Sequence, residues 1–355
     1  MSAPIRPIDQ PADSLCGVDF SSIQRVLVVK PSSMGDVVHT LPAVNALKQA
    51  FPHLEITWVV NPEWASLLAD NPDLAGVVEF PRRHLGGPMA PVRFARWAQL
   101  LHRPNPPEVA LDFQGLLRSA LISRFSHARH IIGLRDAREG SGWFYDFKVD
   151  TRECIHAVDR YLELVASCGV QINRNHIVTP LPEGDPVKLP DGVTLPDSPI
   201  MLHPYSRGEG KSMTTAQLER LIERLSPAPV VLIGKCDDAE ACAISSSDRV
   251  INLLNRTTIP QLIHLLRRAG MVISVDSGPM HLAAALGGPL LSIHTWSDPR
   301  KVGPYRPDAS VWKAGKIMRM DELDPRACEQ NMALDDDAID AIAAWATPEY
   351  PLWVG

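Results

Sequence analysis

The chain has 355 residues, 45% of them hydrophobic and 21% charged, with a net charge of -6 at neutral pH. That length exceeds one ordinary core and suits two domains of about 150 residues each, and the composition excludes gross disorder. An acidic whole without an aromatic–basic module argues against nucleic-acid binding, and no apolar run approaches the roughly 18 residues of a membrane span.

Residues 1–23 read as a polar, proline-containing tail that lacks the apolar core of a secretory signal. Strands are then expected at residues 25–30, 55–60, 76–80 and 109–113. Helices are expected at 36–50, 63–70, 92–102, 116–125 and 159–168. Strands separated by helices of this length predict a parallel sheet covered on both faces. Six prolines fall between residues 180 and 199, which predicts a crossing between domains over 181–199. The alternation then restarts, with strands expected at 200–203, 230–233, 250–253, 272–275 and 290–294. Helices are expected at 215–225, 238–245, 260–269 and 279–286, and a last amphipathic helix begins at Asp335 with its acids at the N-terminal end. Two such halves predict a cleft at the carboxyl ends of two sheets, where open α/β folds bind ligands.

The charge is unevenly placed. Residues 80–140 hold ten arginines against four acids, a local excess of +6, whereas residues 181–355 hold 17 basic and 23 acidic residues, a balance of -6. A cationic first half predicts an anionic partner there, either a phosphorylated ligand or an acidic membrane surface. The six cysteines are scattered without a C-x-x-C pair. Reduced thiols in a cytoplasmic protein are therefore expected, not a disulfide framework or a metal site.

Three segments carry chemistry-bearing residues. In Lys30-Pro-Ser-Ser-Met-Gly-Asp36 a strand ends, a glycine turns the chain and Asp36 opens a helix. A carboxylate there can deprotonate an attacking hydroxyl, or it can simply cap the helix. In Ser274-Val-Asp-Ser-Gly-Pro-Met-His281 a buried strand runs into Asp276, followed by the helix start Ser277-Gly278 and then His281. Backbone N–H groups at such a helix start favour a pyrophosphate. In the loop after residue 203, Ser206 and Lys211 flank Gly208 and Gly210, and a lysine there can stabilise a leaving diphosphate. No D-x-D stands at a strand end, and Asp335–Asp337 reads as a helix cap, so no metal is expected.

Together these segments resemble glycosyltransferase family 9, and within it heptosyltransferase I more closely than heptosyltransferase II. Val29–Pro42 matches the family opening V-K-x-S-S-M-G-D-V-x-H-T-L-P. Asp112–Ala120, Asp136–Glu139 with Phe144-Tyr145, Ile155–Arg160, Ser274–Leu282 and Asp298–Tyr305 resemble further family segments, so the likeness spans about residues 24–345. The chain departs from the family pattern at Lys211-Ser-Met-Thr and at His294-Thr-Trp-Ser, both in the second half.

The resemblance implies a GT-B arrangement, two Rossmann-like domains with parallel sheets facing a central cleft. Residues 24–180 would bind the acceptor and 200–334 a nucleotide sugar, with the segment 335–355 packing back on the first domain. It implies an inverting, metal-independent transfer of heptose from ADP-heptose to a Kdo-lipid A type acceptor in lipopolysaccharide inner-core synthesis, without a cofactor. Carried onto matching positions, Asp36 is the base. Ser206, Lys211, Asp276, Ser277, Gly278 and His281 contact the donor. Lys30, Arg82, Arg83, Arg118 and Arg138 hold the anionic, lipid-linked acceptor. The expected place of work is the cytoplasm, peripheral to the inner face of its membrane. The alternatives are another sugar or acceptor within the family, a nucleotide-sugar epimerase on the same fold, or a non-catalytic binder of anionic ligands.

Overall fold

The structure is a computed structural model and describes residues 14–349 except Arg103, Asn175, Pro190, Asp191, Arg207 and Glu209. Most of the expected N-terminal tail (1–13) and the end of the C-terminal tail (350–355) lie outside the described residues. The chain divides into two compact units after Pro180.

The first unit runs β1 (Arg25–Val29), α1 (Met34–Ala50), β2 (Glu55–Val60), β3 (Gly76–Glu79), α2 (Ala90–Ala98), β4 (Val109–Asp112), α3 (Leu117–Phe125), β5 (His130–Leu134), β6 (Phe147–Val149) and α4 (Ala157–Ala166). Its strands are parallel in the order β3-β2-β1-β4-β5-β6. The helix expected at residues 63–70 is instead a 3-10 segment, Pro62–Leu68. Asn61 opens it with a carbonyl that accepts from Trp64 N–H, and Asp70 ends the region in a left-handed conformation (φ 51°). Strands β5 and β6 escape the sequence pattern: β5 opens on exposed His130 and carries Gly133, and three-residue β6 alternates apolar and charged residues as an edge strand does.

The second unit runs β7 (Ile200–His203), α5 (Thr215–Arg224), β8 (Val230–Leu232), α6 (Ala239–Cys242), β9 (Val250–Asn252), α7 (Ile259–Arg267), β10 (Met271–Val275), α8 (Gly278–Leu286), β11 (Leu290–Ile293), α9 (Pro299–Val302), β12 (Ser310–Lys313), β13 (Lys316–Arg319), α10 (Pro325–Cys328) and α11 (Asp336–Glu349). Its order is β13-β12-β11-β10-β7-β8-β9, the same winding with one added edge strand. That strand, β13, is antiparallel to β12. Ala314 and Gly315 join them with positive φ at both positions, the turn geometry that matches strand twist. Helices α5 and α7 begin with reciprocal threonine–glutamine caps, Thr214 with Gln217 and Thr258 with Gln261.

Helix α11 packs against α5 of the second unit. Ile339, Ile342, Ala343 and Ala346 are buried in the second unit's own core with Leu218, Leu221 and Ile222 of α5. Arg220 reinforces this with two bonds to the Asp340 carboxylate, at 2.8 and 2.6 Å. Asp335 does act as the cap: its Oδ1 accepts from Ala338 N–H at 2.8 Å. No helix among the described residues is long and apolar enough to cross a membrane.

Each sheet reverses its winding beside its first strand, between β1 and β4 in one unit and between β7 and β10 in the other. Chain leaving neighbouring strands there diverges and opens a crevice at the carboxyl ends. Both groups of chemistry-bearing residues stand at these two points.

Candidate active site

In the first unit, β1 delivers Lys30 to the sheet's carboxyl edge and α1 begins four residues on. Asp36 lies in the first turn of α1, and its Oδ2 accepts from Ser33 N–H at 2.9 Å and Ser33 Oγ at 2.7 Å. The capping role is therefore real, and it uses only one carboxylate oxygen. Oδ1 lies 3.5 Å from Lys30 Nζ and 3.4 Å from the Tyr161 hydroxyl. The Asp36 side chain is 40% exposed, whereas that of Lys30 is 3% exposed. The carboxylate is thus the solvent-facing member of a group whose cation is buried behind it.

Lys30 departs from its expected role as an acceptor contact. Its Nζ donates to Phe113 O at 3.1 Å and to Tyr161 Oη at 2.7 Å, and it stands over the Tyr161 ring. Burial opposes its charge, but Tyr161 and Asp36 outweigh that and hold its pKa above the ordinary lysine value. Lys30 faces Asp36 from within the unit and does not reach outward. Tyr161 comes from α4 and is a site residue that the sequence did not disclose, although it directly follows Ile155–Arg160.

Beside this group, at the β1/β4 switch point, lies a pocket of about 190 Å³. Ser32, Asn61, Arg82, Gln114, Arg118 and Glu139 are among the residues around it. Gln114 Oε1 accepts from Ser32 N–H at 3.3 Å, and Glu139 accepts from Leu117 N–H at 3.2 Å, which ties its carboxylate to the start of α3. Asn61 Oδ1 is buried and has no hydrogen-bond partner. Of the four arginines expected here, the structure brings Arg82 and Arg118 together. Arg83 instead pairs with Glu63 at 3.0 Å, and exposed Arg138 is not among the pocket residues.

The pocket wall is held by Asp112, fully buried at the end of β4. It accepts from Gln114 N–H (2.9 Å), Gly115 N–H (3.1 Å), Ser119 Oγ (2.8 Å) and Tyr145 Oη (2.7 Å). Burial still raises the Asp112 pKa above the ordinary carboxylate value, these four donors notwithstanding.

In the second unit, Asp276 follows β10 and its side chain is 11% exposed. Lys211 Nζ lies 3.1 Å from Asp276 Oδ2, and Ser206 Oγ donates to the Asp276 carbonyl at 2.8 Å. Burial works to raise the Asp276 pKa, but His294, Ser297, His281 and Lys211 together hold it below the usual carboxylate range. Ser277 and Gly278 form the start of α8. The Ser277 hydroxyl does not cap that helix; it lies 3.1 Å from His203 Nδ1 and donates to Val275 O at 3.1 Å. Pro279 carries no N–H and Met280 N–H donates to Ser277 O at 3.2 Å, so the opening of α8 offers Gly278 N–H at the sheet edge. His281 is buried in the same helix.

The loop carrying Lys211 is closed on itself. Ser212 Oγ accepts from Ser206 N–H and donates to Ser206 O, and Met213 N–H bonds Pro204 O. Gly210 has φ +73°, and a Cβ there would lie 2.4 Å from Trp296 Nε1, which donates to Gly210 O at 3.1 Å. Trp296, at one of the departures from the family pattern, thus braces the loop from above while staying 53% exposed.

Two buried histidines underlie this site. Burial pushes both His203 and His294 down to a pKa of about 4. Each is neutral when folded and titrates near 6.5 when unfolded, so the stability it contributes is present above 6.5 and is lost as pH falls toward 4. At pH 5 the loss is about 2 kcal/mol per histidine. Thermal melting from pH 7.5 to 5 should show a steep fall in stability, and replacing His294 by Gln should flatten it. An unchanged slope in that variant would count against the assignment.

A family model described as Glycosyltransferase family 9 (heptosyltransferase) matches residues 99–332. Lipopolysaccharide heptosyltransferase 1 of Salmonella typhimurium is 30% identical, over 79% of this chain and 91% of that protein. The structure of E. coli heptosyltransferase WaaC with ADP superposes with a TM-score of 0.71 at 23% identity, covering 92% of this chain and 100% of that one. The same enzyme with ADP-2-deoxy-2-fluoro heptose gives a TM-score of 0.64 at 25% identity, covering 82% and 93%. The expected α/β fold class is the one these structures share.

Proposed function

The chain belongs to glycosyltransferase family 9, and from that premise we propose that it transfers heptose from ADP-heptose to an anionic, lipid-linked Kdo-type acceptor in lipopolysaccharide core assembly, with inversion and without a metal ion. The donor reading is supported by a relative named lipopolysaccharide heptosyltransferase 1 and by a similar enzyme's complex with an ADP-heptose analogue. The observation that carries the mechanism is the arrangement of Asp36, a solvent-facing carboxylate fixed by Ser33 on one oxygen and backed by buried Lys30 and Tyr161 on the other.

In the reaction, an acceptor hydroxyl gives its proton to Asp36 as its oxygen attacks the anomeric carbon. The bond from that carbon to the donor's diphosphate oxygen breaks, ADP leaves, and the proton passes from Asp36 to water. Lys211 and the positive end of α8, with Gly278 N–H at its start, stabilise the charge that develops on the leaving diphosphate. Asp276 sets the position of the Lys211 ammonium. Arg82 and Arg118 take the anionic groups of the acceptor, and the unpaired Asn61 Oδ1 accepts from one of its hydroxyls. Family membership does not favour the epimerase and pure-binding alternatives.

The donor assignment is tested by titrating ADP-heptose, ADP-glucose and UDP-N-acetylglucosamine into the protein and following its melting temperature. ADP-heptose should raise it at the lowest concentration. Preference for a uridine nucleotide sugar would overturn the donor while leaving the fold untouched.

A further inference from the structure

The acceptor reading requires the enzyme to work on a molecule anchored in a bilayer, and the first unit carries a surface suited to that. Between Glu79 and Glu108 the chain has five arginines and no acidic residue. Helix α2 and the turn after it sit in this stretch. Their inner face, Phe94, Trp97, Ala98 and Leu101, packs toward the sheet. Met89, Val92, Arg93, Arg96 and Leu100 recur at helical spacing along the opposite face. There Met89 is 55%, Val92 52% and Leu100 63% exposed, and both arginines are exposed. Single exposed apolar residues are ordinary on any surface. Three on one helix stripe, interleaved with arginines in a segment without acids, are not explained that way.

The surface is also tied to the pocket. Phe80 belongs to the pocket wall, and its ring meets Trp97 at 4.9 Å and Phe94 at 6.4 Å. Phe94 in turn meets Phe125 of α3 at 5.3 Å, and Phe125 is itself partly exposed beside exposed Arg124. The stripe and the cationic pocket thus share one aromatic cluster within a single unit.

We propose that the outer face of α2 docks on an anionic phospholipid bilayer, inserting Met89, Val92 and Leu100 at the headgroup boundary while Arg93 and Arg96 meet lipid phosphates. Charge complementarity selects that occupant: the stripe is cationic and apolar at once, which matches an anionic interface with acyl chains beneath it. The inference rests on the acceptor reading for its purpose but not for its test.

The full-length protein is sedimented with vesicles of phosphatidylethanolamine and phosphatidylglycerol, and separately with phosphatidylcholine alone. It should bind the anionic vesicles, bind the neutral ones weakly, and release as salt is raised. The double variants Arg93→Gln/Arg96→Gln and Val92→Ser/Leu100→Ser should each reduce partitioning by roughly 10-fold or more, with unchanged melting temperature. They should also lose transfer to vesicle-embedded acceptor while keeping transfer to detergent-dispersed acceptor. Failure of the natural protein to bind anionic vesicles, or equal binding by both variants, would overturn the proposal. Vesicle binding that depends on α2 in a protein with no heptosyl transfer would uphold the surface and reject the function.

Discussion

Replacing Asp36 by asparagine should lower kcat by about 10²–10⁴-fold, the usual contribution of a general base, and leave donor affinity unchanged. The substitution is chosen because Asp36 has two functions in the structure. As a cap it accepts from Ser33 N–H and Ser33 Oγ, which an asparagine carbonyl can still do. As a base it needs a titratable oxygen, which asparagine lacks. Steady-state kinetics with a melting curve therefore separate the two: lost turnover at near-native stability identifies the base, whereas activity within a few-fold of the natural protein leaves Asp36 only a cap. Lys30→Met probes the same group from behind. It removes the cation facing Asp36 Oδ1 and Tyr161 Oη, so its effect should appear as an altered pH–rate profile.

The second large effect is expected at Lys211. Its ammonium faces Asp276 and is the cation that the leaving diphosphate would meet, so Lys211→Ala should cost roughly 10²–10³-fold in kcat, as loss of one charge-stabilising donor commonly does. ADP binding should weaken as well, because a cation placed against the diphosphate would meet product as much as transition state. Calorimetric titration of ADP alongside the rate measurement checks both. A variant with normal ADP affinity and normal kcat would remove Lys211 from the donor site and leave the α8 N-terminus alone to stabilise the diphosphate.

The sequence disclosed these two positions for different reasons. Asp36 stands in a contiguous run, Val29–Pro42, whose residue types and spacing are readable without a fold. Lys211 was a weak signal by spacing, and only the closed loop from Pro204 to Met213 and the ion pair with Asp276 give it a fixed place. Alternation of strands and helices made two parallel α/β halves legible, since wholly buried strands such as Val109–Asp112 stand out by their apolar composition. The edge strands β6 and β13 do not, because Phe147–Val149 and Lys316–Arg319 carry charged residues within three or four positions and lack the apolar run of a buried strand.

Side-chain direction was the main thing hidden. Lys30, Arg83 and Arg138 are the right residue types near the right place, yet Lys30 turns inward and Arg83 turns to Glu63. Tyr161 meets Asp36 from a helix 125 positions away, a distance that no local motif spans. Asn61 looks like an ordinary turn residue until its carbonyl oxygen is found buried at the pocket.

The most direct test of the whole account is transfer itself. The natural protein is incubated with ADP-heptose and Kdo-lipid A in the presence of EDTA, and the lipid is examined by mass spectrometry. The account predicts an acceptor heavier by one heptose unit, with ADP released in equal amount. An unchanged acceptor, with the protein correctly folded and ADP-heptose bound, would contradict it.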